Sequence, residues 1–188
     1  MNQFRKGEVY CAAPIRLENL CSAGTTAQAF PDIDNRPKSQ DSIDALNALI
    51  SNILEPIRLH YGHLTITHGF TSQALINKVP SGVAKRLDQH CAHELNSRGQ
   101  RICSRGGASA DIYVEKITAW ELVDYIRSNL VFDRIYIYGK DSPVHVSYND
   151  LQLTSQIVVM KPTSTGRRVP IVFRPLASMN DIKDSLNK

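Results

Sequence analysis

The chain has 188 residues, 42% of them hydrophobic and 21% charged, which is enough apolar material for one packed core and argues against wholesale disorder. Its 22 Lys and Arg against 18 Asp and Glu leave a net charge of +4, too weak to define a nucleic-acid or membrane-surface protein by itself, and no apolar run approaches the roughly 18–20 residues of a membrane-spanning helix. Arg5 and Lys6 are followed by Glu8, Pro14 and Arg16 rather than by an apolar stretch, so no secretory signal is expected and the expected location is the cytoplasm.

The charge is unevenly placed. Residues 1–160 are balanced, and the excess lies in 161–188, where Lys161, Arg167, Arg168, Arg174, Lys183 and Lys188 face only Asp181 and Asp184. The four cysteines, Cys11, Cys21, Cys91 and Cys103, form no C-x-x-C pair. That spacing excludes a zinc ribbon, and reduced thiols are expected.

In chain order, residues 22–40 read as an irregular entry loop with turn chemistry at Asp34-Asn35-Arg36-Pro37. Ile43, Leu46, Leu49, Ile50, Ile53, Leu54 and Ile57 then recur at helical spacing after a cap at Ser39 or Asp41. Pro56 predicts a kink or an early stop late in that helix. Leu64–Thr67 reads as a short strand ended by Gly69, and 72–77 as one or two helical turns. Residues 80–107 are polar and glycine-punctuated, a long irregular stretch of the kind that often carries function. Ala110–Val114 reads as a strand, and Thr118 caps a helix reaching Asn129. Arg134–Tyr138 and Val144–Ser147 read as strands about a Gly139–Pro143 turn, and Ile157–Met160 with Val169–Phe173 as a hairpin. This mixture predicts an α+β fold.

Six histidines are present. His60 and His63 read as surface residues at a helix end, and His68, before Gly69-Phe70, equally as a site residue or a satisfied strand-end histidine. His90 and His93 share the irregular stretch with Glu94, His145 sits within an apolar strand, and Asp111 opens another. Singly, each reads as an ordinary buried or capping group. Two histidines and a carboxylate together suit a three-ligand zinc with an open fourth position.

The order of short motifs resembles the zinc D-Ala-D-Ala carboxypeptidase superfamily, whose fold is shared with the hedgehog signalling domain, and most of all its phage-endolysin branch. The resemblance rests on Leu17, Leu20, Cys21-Ser22 and Asp34-Asn35-Arg36-Pro37, then on Ile53-Leu54-Glu55-Pro56-Ile57-Arg58 with Gly62. It continues through His68-Gly69-Phe70-Thr71-Ser72 with Asn77, then Gly107, Ala110, Asp111 and Ile112, and last Val144-His145-Val146-Ser147-Tyr148. It spans roughly residues 17 to 148. Ser104 stands where the first metal-binding histidine is due, seven residues before Asp111. An insertion over 91–106 would make His90, within Asp88-Gln89-His90, that ligand, with His93 in reserve and Cys103 third.

The resemblance implies a small antiparallel sheet with helices packed on it, formed by residues 1–150; residues 151–188 lie outside it and read as a basic hairpin and tail packed on the same domain. It implies zinc held by His90 or His93, Asp111 and His145, and hydrolysis of a short peptide such as a peptidoglycan stem ending in D-alanine. Glu94 or Asp141 is the candidate general base. Thr71 replaces the family's substrate-binding arginine, with Ser72 beside it, and Arg105 is the candidate substitute. The alternatives are an intracellular hydrolase with another substrate, an enzyme released by a phage holin, and a catalytically silent binding module. Nucleic-acid contact through Arg167, Arg168 and Arg174 is the less favoured reading of the tail.

Overall fold

The computed structural model describes residues 5–79, 85–174 and 177–186. Residues 80–84 of the irregular stretch and Lys188 of the basic tail therefore lie outside the described residues. The fold is α+β. A seven-stranded open sheet runs in the order β1 (Val9–Cys11), β2 (Leu64–His68), β3 (Ala108–Tyr113), β5 (Val144–Tyr148), β4 (Arg134–Ile137), β6 (Gln156–Pro162) and β7 (Arg168–Phe173). All neighbours are antiparallel except β4 and β6, which are parallel.

The long helix forms where its apolar spacing places it, with Ser39 Oγ accepting the Ser42 N–H at its start. Pro56 neither stops nor breaks it. α3 (Gln40–Leu49) passes into a π-helical turn, Ile50–Leu54, and on into α4 (Glu55–Tyr61). There the Glu55 N–H bonds back to the Ile50 carbonyl, five residues earlier. The widened turn makes room for a ring that would strike the carbonyl four residues back, and needs no N–H from it. Gly62, at φ +81°, ends the helix.

Two short helices, α1 (Leu17–Ser22) and α2 (Thr25–Ala29), occupy ground that reads as loop or has no periodic signal in sequence. β1, three residues long, likewise has too few positions for alternation to be legible. α5 (Gln73–Ile76) is the expected single turn, and Thr118 caps α6 (Ala119–Asn129) through a reciprocal pair with Glu121. α7 (Met179–Asp184) is the last element among the described residues.

Period-two alternation divides the sheet cleanly. Ala110, Val146, Ile135 and Ile157 are paired neighbours across four strands, and all are fully buried against the helices. They share one core with Leu46, Ile53 and Ile57 of the long helix, Leu122 and Ile126 of α6, and Ile182 of α7. The opposite face carries, in the same pairing sequence, Asp111, His145, Tyr136, Val158 and Val172.

The C-terminal hairpin is thus part of the sheet. Buried Asp133 makes the joint: its carboxylate accepts the Thr154 N–H and hydroxyl, and its carbonyl accepts the Gln156 N–H, which sets β6 beside β4. Among the described residues no helix is long and apolar enough to cross a membrane.

Candidate metal centre

β3 and β5 pair so that Asp111 lies directly opposite His145, with both side chains on the face away from the core. His145 Nδ1 is 2.8 Å from Asp111 Oδ1. The third member comes from the irregular stretch. Asp88 accepts the His90 N–H and caps a 3-10 turn, Gln89–Cys91, which brings His90 Nε2 within 3.3 Å of the same Asp111 oxygen. The Thr71 N–H donates to the His90 carbonyl, and the Gln89 amide donates to the Gly106 carbonyl and to Asp133 Oδ2, so the turn is held from both sides.

His90 Nδ1 donates to the Gly69 carbonyl at 2.8 Å. That bond orients the ring and leaves Nε2 for the centre, the usual way an outer partner sets a ligand histidine. One ligand atom each from His90, Asp111 and His145 lies within 4.8 Å of the others, and this group could hold a metal ion. Two imidazole nitrogens and a carboxylate oxygen are a donor set suited to zinc, and tetrahedral zinc with bonds of about 2.0–2.1 Å keeps its donors ~3.3 Å apart.

The electrostatics agree with a cation position. Burial pushes the His90 imidazole toward neutrality, but Asp111 and Asp88 outweigh it and raise its pKa to about 9. Burial likewise opposes the Asp111 charge, yet His90 and His145 hold its carboxyl well below the usual carboxylate range. The space between His90 and Asp111 therefore already favours a positive charge. His68, whose ring meets that of His90 edge-on at 4.3 Å, is driven the other way, to about 4, by burial and then by His90.

His93 and Glu94 stand elsewhere. His93 Nε2 accepts the Gly107 N–H at 3.1 Å, which pins the start of β3. Glu94 is buried, and its Oε1 accepts from the Lys38 N–H and the Ser42 hydroxyl, tethering the loop to the start of α3. Asp141 is exposed in the β4–β5 turn, beside a small hollow it shares with Tyr113, Lys140 and Leu122. Cys103 is buried against Ile76 and Cys91, and all four cysteines are free.

Thr71 is close to the group, its hydroxyl 3.0 Å from His68 Nε2. Ser72 instead caps α5 and is bound to Asn35 and the Asp34 carbonyl. Arg105 donates from Nη1 to Tyr136 Oη at 2.7 Å, and the Tyr136 ring stands 5.2 Å from that of His145. Sequence reasoning missed Gly69, Asp133 and Tyr136 as supports. Tyr136 had a signal, because it alternates with Arg134 on one face of a strand; the Gly69 carbonyl and the Asp133 bonds have none.

No protein-family model matches this chain, and neither a curated protein nor a solved structure matches it.

Proposed function

We propose that the chain is a zinc-dependent amide hydrolase, a divergent relative of the D-Ala-D-Ala carboxypeptidases with the DD-peptidase/hedgehog-like fold, acting on a short peptide of the peptidoglycan-stem type. The observation that carries this reading is the convergence of His90, Asp111 and His145, from three separated motifs, on one point of an open sheet face. A bound zinc supplies Lewis acidity toward a carbonyl and lowers the pKa of water. The chain's own residues would hold and orient it: His90 through Nε2, set by Gly69; Asp111 through its carboxylate; His145 through Nδ1. Arg105, fixed by Tyr136 beside His145, is the cation placed to receive a substrate carboxylate.

A second reading has its own support. Neither candidate base, Glu94 or Asp141, joins the His-Asp-His group, which favours a metal-holding binding module. Metal analysis of protein prepared without chelator, beside Asp111→Ala and His145→Ala, tests the centre. About one zinc per chain is expected, with loss from both variants. A metal-free wild type would remove the hydrolase reading. Release of D-alanine from a peptidoglycan pentapeptide then separates enzyme from binding module.

A further inference from the structure

The face that carries the His-Asp-His group does not end there. Pairing carries it from Asp111 and His145 through Tyr136 and Val158 to Val172 at the sheet edge, four strand spacings or ~19 Å away. The adjoining row on the same face holds Met160, paired with Pro170, and Tyr138 lies two residues beyond Tyr136. Arg168 folds back over this row. Its Nη1 donates to the carbonyls of Tyr138 and Met160, and its guanidinium sits 5.4 Å from the centre of the Tyr138 ring. Val172 remains 58% exposed and Tyr138 37%.

We propose that this face, built largely by β6 and β7, is a docking platform for an extended acidic peptide segment whose other end reaches the metal centre. Charge complementarity selects that occupant. Arg105 stands at the end near His145 and Arg168 at the far end, and among the strand residues of this face on β3 to β7 the only acidic one is Asp111, which belongs to the centre. Between the two arginines lie Tyr136, Tyr138 and Met160 over the buried Val158, with exposed Val172 beside Arg168 on β7, apolar surface suited to aliphatic side chains and not a run of cations at phosphate spacing. The face is also continuous with the centre through the Tyr136–His145 contact. The placement of the reacting end rests on the hydrolase reading; the platform itself is tested without it.

The test is fluorescence anisotropy at low salt with the full chain and three labelled probes of equal length: a peptide alternating Glu with Val, the same peptide with Lys for Glu, and single-stranded DNA. The Glu peptide is expected to bind at least about tenfold more tightly than the Lys peptide, and Arg168→Glu to abolish that preference. Val172→Asp, which leaves Arg168 in place, is expected to weaken the Glu peptide as well. Thermal melts confirm that both variants are folded. Equal affinity for the two peptides, tighter binding of DNA, or an unchanged preference in folded Arg168→Glu overturns the platform. Zinc content of the same preparation is read independently. A charge preference in zinc-free protein sustains the platform while the hydrolase reading falls, and zinc-loaded protein indifferent to peptide charge does the reverse.

Discussion

At the scale of single residues, adjacent positions in one loop have unrelated jobs. His90 belongs to the group that could hold a metal ion, while His93 and Glu94, one turn of chain further on, serve as anchors for β3 and α3. For Glu94 the distinction is measurable. Glutamine keeps an oxygen for the Lys38 N–H and the Ser42 hydroxyl but loses the charge, so Glu94→Gln is expected to cost about 1 kcal/mol in urea unfolding and to leave zinc per chain unaltered. A proton-accepting role would show the opposite pattern, intact stability with lost turnover. Asp111 and His145 were legible in sequence because each sits in a readable strand. His90 ranks ahead of His93 through the resemblance at Asp88-Gln89-His90, but what orients each ring was not legible, because it depends on which imidazole meets the Gly69 carbonyl and which meets the Gly107 N–H.

At the scale of elements, the long helix shows how one local conflict is absorbed. Its apolar period is continuous across Pro56, and the π-helical turn resolves the clash without breaking the buried stripe of Ile53, Leu54 and Ile57. Glu55, beside that turn, accepts from the Arg58 guanidinium and from the Ile15 N–H, tying the helix to the segment before α1. The Arg58 bonds hold its carboxyl below the usual carboxylate range, burial opposing and the Ile15 N–H assisting. A carboxylate with a lowered folded pKa contributes stability that is full above its unfolded value and fades as pH falls through the folded one. Urea unfolding from neutral pH down to about 3 should therefore show a shallower acid loss in Glu55→Gln than in wild type, with about 1–2 kcal/mol lost at neutral pH. Equal acid slopes would show that Glu55 is not linked to folding. At the far edge, β7 carries Arg168 and Pro170, features that discourage pairing with another chain.

At the scale of the molecule, the C-terminal residues belong to the same packed unit as the rest. Ile157 and Val159 of β6 and Ile182 of α7 are fully buried in the core that also holds the long helix. Ile157→Ala is expected to cost about 2–5 kcal/mol in chemical unfolding, with the whole chain still melting in one transition. Truncation after Tyr148 is expected to leave no cooperative transition at all; a cooperatively folded truncated chain would show that the β6–β7 hairpin is dispensable. Within the basic tail, Arg168 is bonded to carbonyls of β6 and of Tyr138 just past β4.

By itself the sequence determined the α+β class, the long helix, most of the strands, and Asp111 and His145 as members of a candidate centre. Those features depend on local periodicity and on turn residues, which act over a few positions and leave a pattern that can be read. Tertiary structure alone decided the parallel joining of β6 to β4, the passage of the helix through Pro56, the orientation of the His90 ring, and the separation of Glu94 and Asp141 from the group. The β6–β4 joint, the His90 orientation and the Glu94 tether are settled by a backbone carbonyl, an N–H or a buried carboxylate brought from a distant part of the chain, and such partners leave no periodic mark in the residues they act upon.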